Sequence, residues 1–367
     1  MKKRRWKRIV LLVLVMIFLF GSSVFAQEIS EEESINITVP NTLRDYFPDN
    51  LENFRVQDVL EQFDFRFFSK MGLKIMMEAA PEAAKFFAML LGVLLLCAVL
   101  GAVKRMVTAS GLQVAVDLVG MVCVASAVFA VTDGVFSLAE EFISSISSFM
   151  STITPTMTGF MIARGEITSA AVISGVIFTA VSLLEKIVAS VLFPLIRLSL
   201  CMSVVTNLFG IPGISGIAPA VKKMIGYVMG FVTTSLSAVL MFQRIIAKST
   251  DSLAMRGIKF AVGQFVPFVG GAVNEALSTV IGGIGTIKAA TGVTGAVVVC
   301  MIAAVPVIRM LLQKTFMEWL SVFAGILGLS GEGKLMSEIA SYLGYVSAIM
   351  AISAVFFILS LSMMATV

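Results

Sequence analysis

The sequence contains no histidine, only four cysteines and nine prolines among 367 residues, and 14% charged residues. The absence of histidine excludes His-based acid–base catalysis and removes the commonest metal ligand. The cysteines lie far apart inside apolar runs and show no CxxC or other ligand spacing, which is typical of small core residues. Because a soluble domain carries about a quarter charged residues, the low charge argues against a soluble globular protein.

Sequence signatures of catalysis are also absent. The chain has no GxxxxGK[ST] nucleotide loop, no HExxH motif and no GxSxG motif. The glycine cluster "GGIGTIKAATGVTG" (282–295) lacks the strand and the lysine position of a phosphate loop, and close helix packing explains it better. We therefore expect no enzymatic activity and no cofactor.

Long apolar runs dominate what is present. Hydrophobic residues make up 58% of the chain, and the mean hydropathy is +0.99. From residue 86 onward the apolar runs approach the roughly 20 residues that a helix needs to cross a bilayer. Runs such as "MLLGVLLLCAVLGAV" do not alternate apolar with polar residues, which excludes a β-barrel pattern. The sequence predicts an all-α, polytopic helical membrane protein.

We expect about seven to eight spans. Two less apolar, amphipathic stretches, 136–162 and 248–283, are each compatible with a weak span, a re-entrant pair or an interfacial helix. The Gly/Pro segment "FGIPGISGIAP" (209–219) connects two halves. The predicted spans are 86–103, 112–132, 167–185, 187–209, 224–245, 289–312 and 338–364.

The N-terminus has the anatomy of a signal peptide, predicted over residues 1–26. Six positive charges in "MKKRRWKR" precede an apolar core, and the small residues Val24 and Ala26 allow cleavage before Gln27. An uncleaved membrane anchor is the alternative. The net charge of +4 falls to −2 without those six charges, so we expect no nucleic-acid partner.

Residues 27–85 form an acidic juxtamembrane segment with a net charge of −6. Apolar residues recur at near-helical spacing from Asn50, which predicts amphipathic helices against the membrane surface or a partner; a solvated helix resting on its own protein is the alternative. The signal peptide places this segment and the mature N-terminus outside the cytoplasm. The first span then runs inward to Lys104-Arg105, in agreement with the positive-inside rule. Residues 86–367 form the polytopic membrane domain.

An internal repeat is suggested by a shift of 112 residues, with repeat units at 112–209 and 224–321. The shift aligns Pro155 with Pro267, Gly159 with Gly271, and "FPLIR" (193–197) with "VPVIR" (305–309). Residues 133–166 carry a net charge of −3 and residues 244–275 a net charge of +2. The opposite signs of these net charges favour opposite orientations of the two repeat units in the membrane, as in the inverted repeats of transporter folds.

The same alignment selects a candidate break in the helical pattern. Proline removes a backbone donor, glycine permits a turn, and polar side chains avoid lipid. We therefore interpret 259–283, with its counterpart 147–171, as a broken re-entrant or interfacial hairpin. Its candidate residues are Pro155, Gly159, Pro267, Gly270, Gly271, Asn274 and Glu275.

Four ionisable residues lie within or beside apolar runs: Asp117, Arg197, Lys288 and Arg309. An ionisable group within the membrane costs several kcal/mol, roughly, unless it is paired or hydrated, so each is a candidate functional residue. As alternatives, Arg197 and Arg309 would extend to the water interface at helix ends, and Lys288 would mark an interface.

The block "AKSTDSLAMRGIKFAVGQFVPFVGGAVNEALSTVIGG" (247–283) resembles the stage III sporulation protein AE family of endospore-forming bacteria. The resemblance implies a multi-pass mother-cell membrane protein around the forespore. The implied partners are the other stage III sporulation A-operon proteins and a forespore-membrane protein, which together with it form a transenvelope channel or feeding tube. That apparatus supports forespore development and late forespore gene expression. An autonomous small-solute permease and a structural membrane scaffold are the alternatives. The resemblance supplies no catalytic residues.

The inverted repeat makes a prediction about topology. Single cysteines at positions 140 and 256 should react with an impermeant reagent from opposite faces of the membrane, because the two stretches would have opposite orientations. Labelling of both positions from one face would contradict the inverted repeat.

Overall fold

The computed structural model describes residues 65–106, 110–209, 216–249 and 270–366, and these residues form helices joined by short turns. The prediction of an all-α fold is confirmed. The signal peptide and residues 27–64 lie outside the described residues. The helices are α1 (Phe65–Met106), α2 (Ser110–Ala163), α3 (Ile167–Ile187), α4 (Phe193–Phe209), α5 (Ile217–Ser249), α6 (Gly270–Ile326) and α7 (Ser330–Thr366).

Six helical segments of the described chain are long and apolar enough to cross a membrane. Helices dominate because hydrocarbon cannot satisfy backbone N–H and C=O groups, so each segment must satisfy its own. The number agrees roughly with the predicted seven to eight spans. The segments are Lys70–Val103, Val122–Ala163, Ile167–Thr206, Pro219–Phe242, Thr279–Ile326 and Ser330–Ala365.

Two pairs of predicted segments are continuous in the structure. Helix α2 joins the predicted span 112–132 to the amphipathic stretch 136–162, because Gly134 alone does not end a helix. The predicted spans 167–185 and 187–209 are joined by a five-residue π-helical segment, Val188–Leu192, which leads directly into α4. The predicted break between the spans 167–185 and 187–209 is therefore wrong.

The longest helices exceed the thickness of a bilayer. Helix α2 has 54 residues and α6 has 57. At a rise of about 1.5 Å per residue each is more than 80 Å long, against a hydrocarbon thickness of roughly 30 Å. Because α2 does not reverse, its two halves cannot be separate crossings of one bilayer.

Two tight hairpins join neighbouring helices through the same turn. Gly165 between α2 and α3 has φ 84°, and Gly328 between α6 and α7 has φ 77°. In each turn the following residue donates a backbone hydrogen bond five residues back, from Glu166 to Met161 and from Leu329 to Ala324, both at 2.9 Å. These are Schellman turns, which satisfy the last carbonyls of a helix and use glycine at the left-handed position.

Helix α7 is the central helix of the bundle. It packs against α2, α3, α4, α5 and α6, and no residue from Leu335 to Ala365 is exposed. Its closest neighbour is α6, to which the Gly328 turn connects it. Helices α2 to α6 therefore pack around α7, and α1 packs against α2 and α6.

Close packing of α6 depends on two glycines of the cluster at 282–295. A Cβ at Gly292 would collide with Ala365 of α7 and lie 3.2 Å from Met157 of α2, and a Cβ at Gly295 would collide with Ile153 of α2. The lack of side chains lets α6 lie directly against both helices, as small residues do in membrane bundles.

Gly292→Ala and Gly295→Ala should each lower the free energy of unfolding by about 1–3 kcal/mol, because the added methyl group overpacks the contact. The measurement is the unfolding transition of the purified chain in detergent. Gly159→Ala is the matched control: nothing lies within 4 Å of its Cβ position, and alanine favours the helix by up to about 1 kcal/mol. Equal transitions for the three variants would contradict this packing.

Candidate functional site

A charged cluster lies where the α2–α3 turn meets α6. The Lys288 ammonium donates to Glu166 Oε2 at 2.9 Å, and Arg164 Nη1 lies 3.2 Å from Glu166 Oε1. We call Arg164, Glu166 and Lys288 the turn cluster. One carboxylate therefore joins two cations and links residues 122 positions apart in sequence.

The local fold explains why these groups meet. The Schellman turn at Gly165 reverses the chain and leaves Arg164 and Glu166 on the tip of the hairpin. Helix α6 reaches this tip because Gly292 and Gly295 allow it to lie against α2. One turn before Lys288, the guanidinium of Arg164 lies over Gly285, 3.5 Å from where a Cβ would be.

Burial makes the Lys288–Glu166 pair energetically important. The side chain of Lys288 is 0% exposed and that of Glu166 is 12% exposed. A buried ammonium is tolerated when an anionic partner compensates it, and removal of one partner leaves an uncompensated charge. The turn cluster therefore fixes α6 against the α2–α3 hairpin.

The cluster has an excess of positive charge. Arg164 is 27% exposed, and its Nε is buried without a hydrogen-bond partner among the described residues. The cluster contains no hydroxyl or thiol group. Across the described ranges, no three His, Cys, Asp or Glu side chains are grouped as a metal ion would require.

The other predicted intramembrane charges lie elsewhere. The side chain of Arg197 is 53% exposed, pairs with Glu140 at 3.4 Å and lies 4.6 Å from the ring centroid of Phe136. Arg309 is partly buried and follows Lys288 by 21 residues on α6, about 32 Å along the helix. The Asp117 side chain lies outside the described residues. Of the four predicted intramembrane charges, Lys288 is therefore the one that the described residues place in a buried ion pair.

The candidate break is only partly described. Helix α2 runs through Pro155 and Gly159 to Ala163, so the chain turns at 164–166 and not at these residues. Gly270 and Gly271 are the first residues of α6, and Asn274 and Glu275 follow in the same helix, so residues 270–283 contain no hairpin. Pro267 and the rest of 259–269 lie outside the described residues, where the predicted hairpin stays a prediction.

The helix bounds do not reproduce the internal repeat at the α2–α3 turn. A shift of 112 residues carries the α2–α3 turn at 164–166 onto 276–278, which lie inside the uninterrupted helix α6. The repeat stays a prediction that rests on the proline and charge patterns.

Arg164 and Glu166 were not among the predicted site residues. The available signal was local: charged residues flank a glycine between two apolar segments, which is typical of a hairpin tip. Sequence alone could not pair this tip with Lys288, since the pairing depends on how α6 packs against α2.

The sequence profile of stage III sporulation protein AE matches residues 51–367, a range that includes every described helix. This chain belongs to the stage III sporulation protein AE family. The stage III sporulation protein AE of Bacillus subtilis (strain 168) is 28% identical over 218 residues, which cover 58% of this chain and 54% of that protein. The alignment thus spans about half the length of that relative. No solved structure matches the chain. All three residues of the turn cluster lie within the range matched by the family profile.

Glu166→Gln should destabilise the fold by about 3–5 kcal/mol, because it leaves the Lys288 ammonium buried without an anion. The double variant Glu166→Gln/Lys288→Met should recover much of this loss, because it removes both charges. The measurement is the unfolding transition in detergent.

The control for this cycle is Glu140→Gln, which breaks the exposed pair with Arg197 and should cost less than about 1 kcal/mol. A Glu166→Gln variant as stable as the Glu140→Gln variant would contradict the structural role of the turn cluster.

Proposed function

We propose that this chain is a non-enzymatic membrane subunit of a sporulation-specific transenvelope channel, or feeding tube, between mother cell and forespore. It would support forespore development and late forespore gene expression. The family match over residues 51–367 carries the sporulation role. The six apolar helices support membrane residence.

The interior of the chain supports a role as one subunit among several. Two cavities in the described bundle have volumes of about 10 Å³ each, and their linings are mainly apolar. A volume of roughly 10–15 Å³ accommodates a single water molecule. Neither cavity holds a solute larger than a water molecule, so we place the conduit between chains.

This observation favours a subunit over an autonomous permease. A permease holds its solute in a site near the midplane of its own helices, and neither of these two cavities in the described bundle has the volume of such a site. A structural scaffold remains as the second alternative, since it needs neither a solute site nor a conduit.

The proposed location is the mother-cell membrane around the forespore. The mature N-terminus and the acidic segment 27–85 would be extracytoplasmic, in the space between the two membranes. There they would meet the other A-operon proteins and a forespore-membrane partner. Membrane lipids would cover the outward apolar faces.

Affinity purification from sporulating cells tests this proposal. A tagged chain should recover other sporulation membrane proteins in stable proportion, because a conduit between chains requires partners. The same chain produced in vegetative cells is the control for nonspecific membrane contacts.

Two outcomes would overturn the proposal. Recovery of the chain alone, together with solute flux when the pure chain is placed in liposomes, would identify a permease. Recovery with partners in a complex that gives no flux would identify a scaffold.

A further inference from the structure

The outer surface of α2 differs from that of every other long helix described. From Asp133 to Gly159 the exposed residues are polar, glycine or proline, and no large hydrophobic side chain is exposed from residue 133 to residue 161. We call this surface the α2 polar face. Its members are Asp133, Gly134, Ser137, Glu140, Glu141, Ser144, Ser145, Ser148, Ser151, Thr152, Pro155, Thr156 and Gly159.

Other helices expose the residues that lipid requires. Helix α5 exposes Tyr227 (77%) and Phe231 (67%), and α1 exposes Leu96 and Val99. Hydrocarbon solvates such side chains, but it cannot satisfy carboxylates and imposes a cost of about 2.5 kcal/mol or more on each at the bilayer centre. The α2 polar face is therefore not a lipid-facing surface.

The face is long enough to cross a bilayer. Positions 137, 141, 144, 148, 152, 155 and 159 follow the spacing of three and four residues that keeps side chains on one side of a helix. The distance from Ser137 to Gly159 is about 33 Å along the axis, close to the roughly 30 Å of hydrocarbon. It also lies within the candidate span Val122–Ala163.

The hydroxyl groups of the face present acceptors outward. Ser151 Oγ donates to the Ser147 carbonyl at 2.9 Å, and Thr152 Oγ1 donates to the Ser148 carbonyl at 3.1 Å. Each hydroxyl proton is thereby used within the helix, while the oxygen lone pairs stay available. Pro155 has no N–H, so the Ser151 carbonyl lacks its usual helical donor. Such a surface suits water and hydrated cations.

Carboxylates exceed cations along this side of the molecule. The adjoining α3–α4 segment adds Glu185, which accepts from Ser147 Oγ at 3.3 Å, and Arg197, which pairs with Glu140 at 3.4 Å. With Asp133, Glu141 and the exposed Lys186, four carboxylates stand against two cations. Charged rings of this sign favour cations in membrane pores.

We propose that the α2 polar face lines a water-filled lumen that is formed where this chain meets other subunits within the membrane. The lumen favours hydrated cations through the carboxylates of Glu140, Glu141 and Glu185. This inference rests on the proposed channel function and assigns the lining of the conduit to one helix.

Cysteine accessibility tests the lining. In a background with the four native cysteines replaced by alanine, Ser148→Cys and Thr152→Cys are compared with Tyr227→Cys and Phe231→Cys on α5. Membranes are taken from sporulating cells, and only variants with wild-type spore counts are used, so that the assembly is known to function. The probe is a membrane-impermeant methanethiosulfonate reagent, in cationic and anionic forms.

The expected result is that both α2 cysteines react and both α5 cysteines do not. The ratio of the cationic to the anionic rate should be at least 10-fold higher than the ratio that the same two reagents give with a free thiol in solution, because a cationic reagent reacts faster with any thiolate. Glu140→Gln/Glu141→Gln should reduce this ratio several-fold, whereas the matched pair Glu78→Gln/Glu82→Gln on α1 should leave it unchanged.

Unreactive α2 cysteines in functional membranes would overturn the proposed lumen and show that a partner protein covers the α2 polar face. The proposed channel function would still be supported in that case if affinity purification recovered partners. A rate ratio equal to that of the free thiol would overturn the cation preference. Recovery of the chain without partners would instead overturn the proposed function itself.

Discussion

Hydrocarbon offers no hydrogen-bond partner, and the structure depends on this constraint throughout. It requires continuous helices, and it requires turns such as those at Gly165 and Gly328 that satisfy their own carbonyls. It requires an anion beside the buried Lys288 ammonium, which Glu166 supplies. The same constraint means that the α2 polar face contacts water or protein, because hydrocarbon cannot satisfy its outward-facing hydroxyls and carboxylates.

The turn cluster and the two glycines of α6 act together. Gly292 and Gly295 bring α6 against α2 and α7, and the Lys288–Glu166 pair fixes how far α6 slides along the α2–α3 hairpin. Apolar packing alone tolerates small axial shifts, whereas a buried ion pair does not. The buried ion pair therefore fixes the axial position of α6 at one end of the bundle, and close side-chain packing fixes it elsewhere.

Much of the fold follows from the sequence because helical membrane proteins are dominated by long apolar runs. The helical membrane class and the candidate residue Lys288 were predictable from the positions of the apolar runs. The joining of 112–132 to 136–162 was not, since a lone Gly134 is compatible with either a helix or a turn. The partners of Lys288 could not be predicted because Arg164 and Glu166 are more than 120 residues away in sequence. The serines and threonines of 136–162 were visible in the sequence, but their shared outward face depends on which side of α2 packs against α6 and α7.

The π-helical segment Val188–Leu192 sets the direction of the residues that follow it. In a regular helix, Glu185 and Arg197 are 12 positions apart and would point about 120° away from each other. A π-helical turn absorbs roughly one extra residue, which rotates the downstream helix by about 100° and brings the two side chains to within about 20°. Both then reach the same side of α2, where Glu185 meets Ser147 and Arg197 meets Glu140. The five-residue π-helical segment thus rotates α4 relative to α3, so that charged side chains from both helices lie on the same side.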